Sequence, residues 1–268
     1  MTHSPISGAV VLVGCGRLGS AILEGWLATG TVDPDRLIIL TPSEKPAAEA
    51  ARSRGARVNP PAEALAGARA VVLAVKPAMW RGALEPLLES LPAAAVMVSV
   101  MAGVRADAIA AVARRPVARV MPTTGVAQAR GVAALWSADD AARERGRALF
   151  ERIADVVELQ DENLMDAATA TAGSAPAFIY AFVQALARAG QAEGLPAEAA
   201  GRLARGALRS AGAGAETGAA LEDLVARVAS PGGTTRAGLD AMNQGGELDR
   251  AAGAAIEAAV RRAREISG

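Results

Sequence analysis

The sequence predicts a doubly wound parallel α/β sheet followed by an all-helical second half. Three observations carry that expectation. A β-branched apolar run, Val10-Val11-Leu12-Val13, feeds the glycine-patterned turn Gly14-Cys15-Gly16-Arg17-Leu18-Gly19, and Ile22, Leu23, Trp26 and Leu27 follow at helical spacing. Short apolar runs then alternate with helix-like stretches, the pattern of strands joined by crossover helices. After about Asp161 no strand pattern appears, and alanine-rich helical segments continue to the C-terminus.

Along the chain, Leu37-Ile38-Ile39-Leu40 reads as the second strand. Thr41-Pro42-Ser43-Glu44 reads as a helix start, with a side-chain oxygen capping the backbone. Continuous apolar runs at residues 70–75 and 96–100 suit buried parallel strands. Helix-like stretches lie at residues 62–66 and 83–90, and residues 117–121, 132–136 and 155–159 complete the expected sheet. Residues 1–161 are thus read as a dinucleotide-binding domain and residues 162–268 as a helical one. Helix breaks are expected at Gly194-Leu195-Pro196, at residues 212–218, at Ser230-Pro231-Gly232-Gly233 and at Gly245-Gly246.

The uncharged stretch from Ala167 to Ala187 has the length to span a bilayer. Thr169, Thr171, Ser174, Gln184 and a mid-run Pro176 favour a helix buried in protein instead. It is apolar nearly all round, and a small helical domain covers such a helix poorly on its own. A homodimer formed through this half would cover it, with burial inside one chain as the alternative.

Composition removes whole classes of chemistry. The chain has 268 residues, 51% of them hydrophobic, enough for one large domain or two ordinary ones. Its formal net charge is zero with no block of like charges. That argues against nucleic acid or an anionic membrane as the main partner. A single cysteine, Cys15, leaves no internal disulfide, and no secretory or transit segment is read before the first strand, so the cytoplasm is expected. The only histidine is His3, in a terminus expected to fray, and the only lysines are Lys45 and Lys76. Zinc ligation of the usual kind, a Ser–His–Asp triad and histidine acid–base chemistry are excluded, so no metal is expected.

The turn from Gly14 to Gly19 has a strand before it and a helix after it, the context that dinucleotide binding needs. Its glycines allow a tight turn, close backbone approach to a pyrophosphate, and helix–strand packing, while the helix N-terminus faces the phosphates. Cofactor choice is read at the end of the second strand. NAD-binding chains usually place a carboxylate there, but Thr41, Ser43 and Lys45 suit a 2′-phosphate, against Glu44 as the one repelling group. NADPH is therefore expected, with NADH less favoured. Ligands in open α/β sheets bind beyond the C-terminal strand ends. Ala74-Val75-Lys76-Pro77, Met101-Ala102-Gly103 and Met121-Pro122-Thr123-Thr124-Gly125 hold those positions. In the helical half, Gly232 and Gly233 precede a helix-like run and leave backbone N–H groups bare for a carboxylate, with Thr234 and Thr235 beside them.

Together these segments resemble the pyrroline-5-carboxylate reductase family, nearly end to end. The markers are the turn at residues 14–19, Ala74-Val75-Lys76-Pro77, Ala102-Gly103-Val104 and Arg119-Val120-Met121-Pro122. The stretch from Asp166 to Ala177 is similar to the family's DAVTALSGSGPA, and Ser230-Pro231-Gly232-Gly233-Thr234-Thr235 is the most diagnostic. The resemblance implies a Rossmann-like domain and a helical domain that dimerises by interleaving helices, with higher oligomers such as a decamer built from those dimers. It implies NADPH across Gly14, Cys15, Gly16, Arg17, Leu18 and Gly19, then Ala74, Val75, Lys76 and Pro77, then Met101, Ala102 and Gly103. It implies substrate carboxylate held at Gly232, Gly233 and Thr234, and Thr235 as the threonine that hydrogen-bonds the ring nitrogen.

Reduction of a cyclic imine suits the missing residues, because its nitrogen can enter already protonated. Orientation of two bound molecules then carries most of the catalysis. A ketone reductase needs an acid for its developing alkoxide more urgently. Four positions depart from the family pattern: Thr123, Gly125, Ala172 and Ala175. They leave a six-membered imino acid and a non-catalytic NADPH-binding protein as alternatives to the five-membered substrate. A β-hydroxyacid dehydrogenase of similar layout would rely on a helical-domain lysine that is absent here.

Overall fold

The computed structural model describes Ile6 and residues 8–267; His3 lies outside them. Its chain divides into two compact units, one of Met1–Gly173 with Ala259–Gly268 and one of Ser174–Ala258.

The first unit is built on one eight-stranded sheet. Strand β1 (Ala9–Val13) leads through the glycine turn to helix α1 (Arg17–Thr29), and β2 (Leu37–Leu40) leads to α2 (Pro46–Arg52). Then come β3 (Arg57–Val58), β4 (Ala68–Leu73), α3 (Trp80–Leu84), β5 (Val96–Ser99), α4 (Ala106–Ala113) and β6 (Val117–Pro122). Strand β7 (Gly131–Trp136), α5 (Asp140–Phe150) and β8 (Ala154–Glu158) close the sheet before the short helix α6 (Met165–Ala168). The strand order is β3-β2-β1-β4-β5-β6-β7-β8, so the winding reverses between β1 and β4, where ligands bind in such sheets.

Both sheet faces are covered, as continuous apolar strands require. Side chains alternate along β1: Val10 and Leu12 join one core with Ile22, Trp26 and Phe150, while Val11 and Val13 join the other with Met97, Trp80 and Ile109. The Trp26 indole donates to the Leu149 carbonyl at 2.7 Å and meets the Phe150 ring edge-on, which fixes α1 against α5.

The structure corrects several expectations. The sheet is not wholly parallel: β7 runs antiparallel to β6, because the connection between them is only the 3₁₀ turn Thr124–Gln128, too short for a crossover. Residues 62–66 lie in a 3₁₀ helix, Ala62–Gly67, and the stretch at 83–90 is split into α3 and the 3₁₀ turn Glu85–Leu87, with Pro86 breaking the hydrogen-bond ladder. No side chain from residues 41–44 caps α2. That helix starts at Pro46, whose fixed φ suits a first helical position, after Lys45.

The second unit holds α7 (Ala175–Ala192), α8 (Ala197–Ala215), α9 (Leu221–Val228), α10 (Thr234–Met242) and most of α11 (Glu247–Ser267). The breaks fall where glycine and proline predicted them. A π-helical turn, Thr169–Ser174, precedes α7, and Pro176 sits in the first turn of α7. The alternative of burial within one chain fails here. Helix α7 has no buried residue, and Phe178, Ile179, Tyr180, Phe182 and Leu186 are all exposed, Tyr180 to 64%. The run Glu162–Ala192 is long and apolar enough to cross a membrane by length and composition.

Candidate functional site

The glycine turn has the geometry of a phosphate cradle. Gly14 adopts φ 98°, and a Cβ there would stand 2.7 Å from the Ala74 carbonyl oxygen. A Cβ on Gly19 would overlap the Gly14 carbonyl. These two glycines are therefore required by the fold itself. Gly16 differs: it is exposed, and a Cβ there would meet nothing within 4 Å. It leaves open space at the N-terminus of α1, which has no side-chain cap and no acidic residue in its first turn. Bare N–H groups, the positive dipole end and an open cradle fit a pyrophosphate. Cys15 is 2% exposed, its sulfur 3.4 Å from the Ser20 hydroxyl, so any contact it makes with a cofactor runs through its backbone.

Backbone bonds bring the neighbouring loops to the same sheet end. Gly14 N–H donates to Leu40 O at 2.8 Å, Ala74 N–H to Val13 O at 2.8 Å, and Val100 N–H to Leu73 O at 3.1 Å. Ala74, Val75, Lys76 and Pro77 follow β4, and Met101, Ala102 and Gly103 follow β5. Lys76 and Gly103 line one cavity of about 540 Å³ together with Trp80 and Arg105. Met101 is held by its N–H donating to the Ser99 hydroxyl at 3.3 Å.

The end of β2 is fixed by a residue that the sequence reading missed. Asn59 takes φ 49°, a left-handed conformation that Asn tolerates better than most residues. Its amide donates to Thr41 O at 2.8 Å, and its carbonyl oxygen accepts Thr41 N–H at 2.9 Å. The Asn59-Pro60 pair was the available signal, since such a dipeptide marks a turn. Thr41 is buried and its hydroxyl donates to Ser43 O at 3.1 Å. Ser43 is exposed and Lys45 half-buried beyond it, and Lys45 forms no ion pair among the described residues.

Two departures in the loop after β6 have local causes. The Thr123 hydroxyl accepts Val132 N–H at 3.2 Å, and Thr123 N–H donates to Val132 O at 2.9 Å. A Cβ on Gly125 would stand 2.8 Å from Arg130 O, so glycine there serves the tight return into β7. Ala172 and Ala175 lie half-buried in and just after the π-helical turn.

In the second unit, Ser230-Pro231-Gly232-Gly233 folds as a turn, with Gly233 N–H donating to Ser230 O at 3.0 Å and Gly232 at φ 71°. Helix α10 follows with Gly233 as its N-cap, no side-chain cap and no acid in its first turn. Thr234 is exposed and Thr235 half-buried, and neither hydroxyl forms a hydrogen bond among the described residues. An uncapped helix N-terminus with two hydroxyls that bond to no described residue has the chemistry to accept an anion.

Comparison with known proteins agrees with both halves. Residues 162–266 match the family model described as pyrroline-5-carboxylate reductase dimerisation, and residues 9–103 match one described as NADP oxidoreductase, coenzyme F420-dependent. The chain is 34% identical over 267 residues to the pyrroline-5-carboxylate reductase of Thermus thermophilus, covering 96% of this chain and 98% of that one. It is 31% identical over 260 residues to pyrroline-5-carboxylate reductase 3 of Danio rerio, covering 95% and 90%. The solved pyrroline-5-carboxylate reductase of Coxiella burnetii superposes with a TM-score of 0.87 at 26% identity, covering 98% of this chain and all of that one.

Proposed function

The chain belongs to the pyrroline-5-carboxylate reductase family, and from that premise we propose that it reduces 1-pyrroline-5-carboxylate to L-proline with NADPH. The observation that carries the reading is that one chain holds an uncapped, acid-free α1 N-terminus at the glycine turn and a second such N-terminus at α10. The first suits a pyrophosphate and the second a small carboxylate. When bound, NADPH supplies a hydride for the carbon of the C=N bond, and the protonated ring nitrogen keeps its proton as the secondary amine.

Each residue set then has a defined task. Gly16 lets backbone reach the pyrophosphate on a turn that Gly14 and Gly19 allow to close, with Arg17 and Leu18 opening the helix whose N–H groups face it. Ser43 and Lys45 bind the 2′-phosphate, at the end of a strand that Asn59 holds through Thr41. The loops at residues 74–77 and 101–103 support the rest of the cofactor. Gly232, Gly233 and Thr234 hold the substrate carboxylate, and the Thr235 hydroxyl hydrogen-bonds the ring nitrogen. No acid–base residue is needed, so the rate comes from orientation and closeness of the two reactants. We assign residues 1–161 to cofactor binding and residues 162–268 to dimerisation and substrate binding, in a soluble cytoplasmic enzyme. Formation of proline matched by loss of NADPH absorbance tests the assignment; NADPH binding without turnover on any cyclic imine would refute it.

Lys45→Ala lowers the ratio of NADPH to NADH kcat/KM about tenfold, because a charge-assisted contact to the 2′-phosphate contributes about 1.5–3 kcal/mol before solvent screening reduces it. Steady-state kinetics with both cofactors check this, and an unchanged ratio would leave the phosphate to Ser43. The apolar face of α7 is covered by a second copy of the chain, and decamers are built from such dimers. Phe182→Asp therefore yields monomers in sedimentation velocity, because a charge buried in that face costs several kcal/mol (about 3 or more). A variant that still sediments as the dimer would move the interface elsewhere.

A further inference from the structure

Glu162 is 5% exposed, and its carboxylate ties its own segment to two others in the first unit. One oxygen accepts the backbone N–H of Ala106 at 2.7 Å and Nη1 of Arg119 at 3.1 Å, while the other lies 3.2 Å from Nη2 of Arg105. Ala106 is the first residue of α4, and the N-cap of that helix, Arg105, offers no side-chain cap of its own. The helix that follows Met101-Ala102-Gly103 is thus capped from 56 residues away. Three positions beyond Glu162, Met165 is 1% exposed and packs on Met121 and Ala134, with Ala102 against the same cluster. One short segment therefore grips the loop after β5 with a charged cap and the end of β6 with an apolar contact.

A buried ion pair is a poor way to add stability, since apolar residues of similar volume often do as well or better. Arg119 shows the cost: it is 3% exposed and its Nε has no hydrogen-bond partner. The carboxylate does one thing an apolar residue could not, which is to accept the first N–H of α4. We propose that Glu162 is a positioning residue that sets Met101-Ala102-Gly103 for NADPH, acting through the N-terminus of α4 and through Arg119. The inference rests on the reductase reading for its cofactor, and its test separates the two.

Glu162→Leu alone leaves Arg119 buried and unpaired, which destabilises the fold strongly, so the decisive variant is Glu162→Leu with Arg119→Met. That pair keeps the volume apolar, and the expected result is a folded protein with a melting temperature close to wild type. Its NADPH Kd, read by fluorescence titration, rises at least tenfold, and KM for NADPH rises with it. KM for pyrroline-5-carboxylate stays within twofold. Glu162→Gln with Arg119→Met restores a neutral acceptor to Ala106 N–H and recovers part of the affinity. Wild-type NADPH affinity in the folded Leu/Met variant would overturn the proposal, as would an equal rise in both KM values. If the wild-type protein binds NADPH but reduces no imine, the reductase reading falls while the NADPH titrations still decide the role of Glu162.

Discussion

Thr235→Val lowers kcat for pyrroline-5-carboxylate about 10- to 100-fold while NADPH Kd stays within twofold. The substitution keeps the branched shape and the first-turn position on α10, and removes only a hydroxyl that has no hydrogen-bond partner among the described residues. A hydrogen bond to a charged group contributes about 1.5–3 kcal/mol, and each 1.4 kcal/mol is about a factor of ten in rate. The hydroxyl holds the ring in line for the hydride, so the loss appears in kcat as well as in KM. Equal losses of turnover and NADPH affinity would make Thr235 a cofactor or folding residue and remove it from the substrate site.

Gly16→Ala weakens NADPH binding by about two orders of magnitude with little change in melting temperature. Gly16 has φ −77° and ψ −163°, which alanine adopts freely, and the added methyl group meets no protein atom within 4 Å. Among the described residues nothing opposes it. The methyl does occupy the space beside the α1 N–H groups, where close backbone approach to the pyrophosphate is needed. Gly19→Ala has the opposite signature. There the methyl overlaps Gly14 O, α1 must move off β1, and overpacking of this kind costs about 1–3 kcal/mol of stability. Calorimetry beside NADPH titration separates the two cases. Unchanged affinity in Gly16→Ala would place the pyrophosphate elsewhere.

The sequence showed most of what local pattern determines. Apolar runs such as Val71-Val72-Leu73 are buried on both sheet faces, and their continuity marked them as internal strands. The glycine spacing at residues 14–19 was legible because Gly14 and Gly19 answer close contacts between adjacent elements. What escaped depends on partners distant in sequence. Asn59 acts 18 residues from Thr41, and Glu162 acts 43 residues from Arg119. Neither has a local pattern that names its partner. The reversal of β7 escaped because strand direction is set by the length of a connection, and β6 and β7 carry the same apolar signal as parallel strands. The unpaired face of α7 was visible as a helix apolar all round, but its exposure only became evident in the folded chain.

The departures at Thr123 and Gly125 are accounted for by bonds and close contacts within the loop leading to β7. They give no reason to expect a larger substrate. The most direct measurement is kcat/KM for NADPH-dependent reduction of pyrroline-5-carboxylate beside that of its six-membered homologue. The expected result is a preference of at least tenfold for the five-membered ring, with proline as the product. Preference for the six-membered ring, or NADPH binding with no turnover of either, would contradict it.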